Sequence, residues 1–445
     1  MKDFAISRNV KLIVSIIASL VMGMYCAVIL AGNTGSISYI IATSLSFGII
    51  YLVALLLLFF AKETDNISGF TFAVLSVATL VFIRVCLLYY ASSDYTTFLS
   101  NWVKDLKNMP LASALSTPVG DYNVPYLYIL LFISRIPASD LVLIKAVSCL
   151  FDVLLGYSVM LVTREITKSK SVSLLAFVIT LAIPTVILNG AMWGQCDSIY
   201  AFFCVMTLYF VLRKRGIMAV VMFSLAFSFK LQTVFLFPAI IICLFIGRIK
   251  PLHLVAFPII NLLMVLPSVI CGRNILDVFM IYFKQTQNYP SLDMNAPTIF
   301  RFVFNVNFEW FNMLGIMLGG FGVLCLLYFA FIKRDKIDDR ALVTFFYLSA
   351  LTVPYLLPRM HERYFFVADV LSLALFLIAR KLWYVPLVTI FASFVAYAYY
   401  LFGGVTLVNY IYVAFALLVI IILVVKDLYK YLNASAVMNK EAQNG

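Results

Sequence analysis

Charge is what this chain of 445 residues has least of. Asp, Glu, Lys and Arg together make up 12%, about half the share found in an ordinary soluble domain. Long polar stretches are missing too, while 64% of the residues are hydrophobic and the mean hydropathy is +1.05. One soluble core cannot hide that much apolar surface, so a water-soluble enzyme is excluded and a polytopic membrane protein is predicted. No Cys-x-x-Cys occurs among the eight cysteines. Seven of them fall in apolar runs and Cys196 in a loop, so neither a disulfide framework nor a zinc site is indicated. There is no Gly-rich phosphate loop and no βαβ pattern, which argues against a nucleotide-binding domain.

What is present is a series of fourteen apolar runs: about 11–31, 38–61, 70–91, 141–163, 172–189, 198–212, 217–229, 231–247, 252–271, 312–332, 341–357, 364–381, 383–402 and 405–425. Several are shorter than the roughly 20 residues of a full crossing, which predicts tilted or broken helices there. The stretch Tyr122–Ile136 is apolar as well. Counting it as a crossing would invert the charge pattern of every later loop, so it is read as a surface or re-entrant helix. The expectation is an all-α bundle of about fourteen spans with outer-face juxtamembrane helices.

The excess of 32 Lys+Arg over 20 Asp+Glu gives a formal charge of +12. In a soluble chain that would suggest nucleic acid, but here its placement reads as topology. With the N-terminus inside, 21 of the cations fall in inner segments and nine in outer ones, and only Arg84 and Lys145 remain within spans. This bias predicts cytoplasmic N- and C-termini and contact with an anionic inner leaflet, and it removes the nucleic-acid reading. The charged start and apolar stretch at the N-terminus lack an Ala-x-Ala site, so they are read as a retained first helix.

The remaining polar residues gather in the segments predicted to face outward. Asp94 follows the third span; it reads either as a general base for a hydroxyl or as a carboxylate capping the segment 97–107. Asp121 and Asp197 read as acceptor-binding acids or as turn and cap residues. Lys230, with Gln232 two residues on, suits a phosphate clamp or interfacial snorkelling. Arg359, His361, Glu362 and Arg363 are denser than anchoring requires: the arginines and His361 can donate to a phosphate while Glu362 holds a guanidinium. Trp102 and Trp193 suit either sugar stacking or an aromatic belt. His253, beside Lys250, reads as interfacial.

Taken in order, Asp94-Tyr95 with Trp102, Asp121-Tyr122-x-x-Pro125, Trp193-Gly194-Gln195-x-Asp197-Ser198, Phe229-Lys230-x-Gln232 and Arg359-Met360-His361-Glu362-Arg363-Tyr364 resemble the GT-C superfamily of integral-membrane glycosyltransferases. The similarity covers about residues 70–381. It is closest to the bacterial and archaeal relatives of the mannosyltransferase that adds the second mannose of GPI anchors. Asp293-Met294-Asn295-Ala296 looks like the family's Asn-Ala motif, although Pro297 to Phe300 replace the Asn and Trp expected after it.

That resemblance implies two accessory spans over 1–69, a catalytic membrane module over 70–381, and C-terminal spans with a short tail over 382–445. It implies Asp94 as catalytic base and Lys230, Arg359, His361 and Arg363 around a donor phosphate. Sugar or acceptor contacts would come from Asp121, Tyr122, Trp193, Gln195, Asp197, Gln232, Asn295, Glu362 and Tyr364. The implied activity is a mannosyltransferase-like hexosyl transfer, with inversion, from a polyprenyl-phosphate sugar to a cell-envelope glycan or glycolipid at the extracytoplasmic face of the cell membrane, without cofactor or metal. A flippase for lipid-linked sugars and a polysaccharide polymerase or ligase are the alternative classes.

Overall fold

The computed structural model describes residues 7–31, 37–287, 291–304 and 306–444. Lys2 and the side chain of Lys440, two of the inner cations, lie outside the described residues. All fourteen apolar runs are helical over most of their length, and the only strands among the described residues are the two-residue pieces Asp293–Met294 and Met360–His361. The protein is all-α. Among the described residues, eight helices are long and apolar enough to cross a membrane: Arg8–Ile29, Ile40–Phe60, Ile67–Cys86, Asp140–Thr167, Pro251–Ile270, Phe308–Ile332, Arg380–Leu401 and Tyr410–Ala434. A ninth is reached if Lys170–Ala182 and Pro184–Trp193, bent by 53°, count as one broken span.

Of the remaining runs, 341–357 lies in the 18-residue helix Asp339–Leu356, which opens on Asp339 and Arg340, and the others make short or broken helices. Asp197–Leu212 has 16 residues, Gly216–Phe229 has 14 and Phe366–Ile378 has 13, fewer than the roughly 20 that cover a hydrocarbon core. Within Tyr122–Ile136 the helix is Val124–Ser134, only 11 residues. At the α-helical rise that is about 16 Å, too short to span.

Local chemistry sets the helix starts. Asn66, Ser139, Asn307 and Asp338 each accept a hydrogen bond from the backbone three residues on, which satisfies an amide that the first turn leaves bare. Apolar faces left uncovered by protein mark the contact with lipid. Met317, Phe321, Leu324 and Tyr328 lie along one face of Phe308–Ile332, each at least 60% exposed, an arrangement unsuited to water.

The chain divides into two compact units, Met1–Phe202 with Leu262–Ile281, and Phe203–Asn261 with Tyr282–Gly445. The first has its core around Phe47, Tyr51, Val77, Cys149 and Phe177. Its N-terminal helix pair crosses at glycine: a Cβ on Gly23 would sit 3.1 Å from Ser44 O, and one on Gly48 3.1 Å from Ser19 O, so small residues permit the close approach. In the second unit Asp339–Leu356 is buried on nearly every side, with Phe345, Phe346 and Tyr355 fully enclosed. Tyr347 shares a 2.8 Å hydrogen bond with Thr389, and the buried Asp369 accepts one from Ser393 at 2.8 Å. Both pairings satisfy polar groups that would otherwise be costly in an apolar interior.

Candidate functional site

In the first unit the expected base stands at the start of a surface helix. Asp94 immediately precedes a π-helical stretch, Tyr95–Leu99, that continues into Ser100–Asn108; such bulges re-aim side chains. Its carboxylate makes no capping bond to this helix. Instead Asp94 Oδ2 accepts from Trp193 Nε1 at 3.0 Å and from Gln195 Nε2 at 2.5 Å. Gln195 Oε1 in turn accepts from the Tyr122 hydroxyl at 2.9 Å. Four of the residues singled out in the sequence therefore form one chain: Tyr122, Gln195, Asp94 and Trp193. Two converging donors fix the direction of the carboxylate, a geometric requirement for proton transfer.

The scaffold beneath that chain is polar and buried. Trp193 and Gln195 are almost completely enclosed. The turn between them passes through Gly194 at φ +78, where a side chain would strain the backbone. Ser92 Oγ donates to Trp193 O, and Ser148 Oγ donates to Gln195 O, each at 2.7 Å. Lys145 is fully buried, and its ammonium donates to the carbonyls of Leu87, Leu88 and Tyr90 at 3.0, 2.9 and 2.7 Å. Those carbonyls belong to the turn that follows the Ile67–Cys86 helix, so one cation ties down the segment leading to Asp94. One turn deeper, Arg84 Nε pairs with Asp152 Oδ2 at 3.0 Å while its Nη2 donates to Leu181 O at 2.9 Å. Ser198 donates to the same carboxylate.

Other residues of this unit are placed differently. Trp102 meets the Tyr122 ring edge-on, with centroids 5.2 Å apart. It also presses on Gly120, where a Cβ would lie 2.3 Å from the indole and φ is +65. Asp121 is exposed in that turn. Asp197 is buried at the start of its helix, and its Oδ2 accepts from Asn189 Nδ2 at 2.7 Å.

The second unit holds the basic group. Here the Asn-Ala segment has a clear structural part: Asp293–Met294 runs parallel to Met360–His361, and Asn295 bridges to His361. Arg359 N donates to Leu292 O at 2.8 Å and Glu362 N to Met294 O at 3.2 Å. Burial pushes the Asp293 carboxyl above its ordinary range, with Arg301 at 2.6 Å opposing the shift. Arg359 adopts φ +62. Its Nε donates to Asn312 Oδ1 at 2.9 Å, and the guanidinium lies over the Phe308 ring at 5.2 Å. The Glu362 carboxylate sits 3.5 Å from Arg363 Nε and 3.8 Å from His361 Nδ1.

Beside this segment lies a cavity of about 440 Å³. Gln232, Asn312, Arg359, His361 and Tyr364 give it a polar wall, and Leu231, Val234, Phe235, Ile316 and Leu357 an apolar one. Gln232 sits just after Lys230, which stands extended between the helix Gly216–Phe229 and the 3-10 turn Leu231–Leu236. The Tyr364 side chain is hydrogen-bonded to Gln232, with Arg363 and Lys230 near it. The arrangement can bind an amphiphile that carries an anionic group: fixed donors on one side, hydrocarbon on the other.

Lys145, Ser148 and Asp152 escaped the sequence reading as a set, as did Ser92. A signal was there, because positions 145, 148 and 152 follow i, i+3, i+7 spacing and mark one polar stripe on an apolar helix. No protein-family model matches the chain, and no curated protein matches it either.

Proposed function

We propose that this protein is an inverting glycosyltransferase of the GT-C type, crossing the membrane about fourteen times with both termini inside, that takes a monosaccharide from a polyprenyl-phosphate donor. Asp94 accepts the proton of an acceptor hydroxyl, whose oxygen bonds to C1 of the sugar. The bond from C1 to the phosphate oxygen breaks, and the polyprenyl phosphate leaves with its electron pair. Lys230, Arg359, His361 and Arg363 stabilise the charge developing on that phosphate. Trp193, Gln195 and Tyr122 hold Asp94 in direction.

The observation that carries this reading is the 440 Å³ cavity, whose arginine and histidine face a hydrocarbon wall. A free nucleotide would not need such a wall; a lipid phosphate would. The oriented Asp94 carboxylate supplies the second requirement, a base.

The test is transfer by the purified full chain in detergent, with polyprenyl-phosphate hexoses as donors and envelope glycolipid as acceptor. A covalent product that disappears in Asp94→Asn, by a factor of about 10²–10⁴, supports the reading. A folded Asp94→Asn protein that transfers normally removes it. Movement of lipid-linked sugar without any product would make the protein a flippase.

A further inference from the structure

The two N-terminal helices stand outside the proposed chemistry, yet they build two cavities of opposite character. The first lies where the start of Arg8–Ala31 meets the end of Ile37–Phe60. It encloses about 430 Å³ and is lined by Arg8, Lys11, Lys62, Phe59, Phe60 and Asp65, among others. Three cations thus face one carboxylate, and that carboxylate is already paired with Lys170. Lys11 is buried and donates to the carbonyls of Thr64 and Asp65, which fixes its charge at the cavity wall. The Arg8 guanidinium lies over Phe59 at 5.5 Å, and Phe60 is 65% exposed.

The second cavity, about 350 Å³, continues along the same helix pair between Ile16, Leu20, Ile41, Leu45, Ile49 and Leu52, around the Gly23 and Gly48 crossing. Leu52 precedes Phe59 by seven residues, two turns on one helix face, so the apolar groove leads on from the basic cavity. A positively charged socket at a helix end, followed by a greasy groove one or two turns further, has the polarity of a phospholipid. It is also the end of the unit that carries Arg164, Lys168 and Lys170, which the Lys/Arg distribution assigns to the inner leaflet.

We propose that the N-terminal helix pair binds an anionic glycerophospholipid, its phosphate between Arg8, Lys11 and Lys62 and an acyl chain in the groove of Leu20 and Leu45. The exposed Phe60 ring and the groove favour a lipid over free phosphate. The site is independent of the sugar-transfer reading and makes the two extra helices a lipid-reading attachment.

The experiment titrates the detergent-purified full chain with phosphatidylglycerol or phosphatidylcholine of identical acyl chains, counting retained lipid by native mass spectrometry, with inorganic phosphate as a third probe. Phosphatidylglycerol is expected to bind at least tenfold more tightly than phosphatidylcholine. In Arg8→Gln/Lys62→Gln its binding should fall about twentyfold, as two cations near an anionic headgroup imply. Leu45→Trp, which fills the groove at a position 60% exposed, should weaken it while every charge stays in place. Equal binding of the two lipids, or an unchanged affinity in a folded double variant or in Leu45→Trp, overturns the proposal. So does displacement of phosphatidylglycerol by millimolar phosphate, which would make the socket a simple anion site.

Discussion

The indole of Trp193 donates to Asp94 across 99 positions of sequence, from Nε1 to Oδ2 over 3.0 Å. The contact is more than packing: Trp193 is wholly buried, so its ring is fixed and the hydrogen bond transmits that rigidity to the carboxylate. Trp193→Phe keeps the buried ring and removes the donor. Because a charge-assisted hydrogen bond contributes about 1.5–3 kcal/mol, a loss of roughly tenfold in kcat is expected with little change in donor KM. Steady-state transfer kinetics measure it, and a variant with wild-type kcat would show that the indole does not orient Asp94.

The sequence made the helices and the identities of the polar residues legible, and it stopped at partnership. Hydropathy located the fourteen apolar runs, all helical over most of their length, because desolvation acts on each segment separately, but it passed over the helix Ile275–Gln287. The interruption at Lys230 was legible as well, since the runs 217–229 and 231–247 part there, and the structure shows the chain extended between two short helices. At Asp94 the cap and the base were both open readings. Only the arrival of Trp193 and Gln195 from a distant segment decides against the cap, and no local pattern encodes that. Lys145 and Arg84 stood out as charges inside spans, but their partners, three carbonyls and Asp152, are matters of tertiary geometry.

The Arg84 and Asp152 pair leads to a non-additive expectation. Both side chains are buried, and the guanidinium is further held by Leu80 O and Leu181 O. Removing one partner leaves the other charge without compensation, which costs about 3–5 kcal/mol. Asp152→Leu alone should therefore be strongly destabilised, whereas Arg84→Met/Asp152→Leu should recover much of the loss. A double-mutant cycle on denaturant unfolding in detergent checks this. Simple addition of the two single effects would mean that the pair is not coupled.

A pH dependence follows from Glu63, in the turn between the second and third helices. Burial raises its carboxyl above the ordinary value, while Ser173, which donates at 2.7 Å, Arg164 at 3.8 Å and Lys170 act the other way, and Asp65 adds to the rise. A carboxyl whose pKa is higher in the folded than in the unfolded state favours folding in its protonated form. That stabilisation is complete below the unfolded value of about 4.3 and is lost as pH climbs through the raised folded value. Unfolding scans from pH 4 upward should show stability decreasing over that window in the wild type. In Glu63→Gln this component should be absent; an identical slope in both proteins would assign it to other groups.

Arg359 combines two roles that a pair of substitutions can separate. Its backbone lies at φ +62, where a side chain costs roughly 1–2 kcal/mol that glycine does not incur. Its guanidinium, meanwhile, lines the cavity between Asn312 and the Phe308 ring. Arg359→Gly and Arg359→Ala remove the same cation, so both should lose donor affinity alike, by tenfold or more if a charged hydrogen bond to phosphate is lost. Only the glycine variant relieves the backbone, so it should unfold at higher denaturant than the alanine variant by about 1 kcal/mol. Measuring donor KM alongside unfolding tests both halves. If the two variants differ in donor use, then backbone geometry, and not the charge, governs that wall of the cavity.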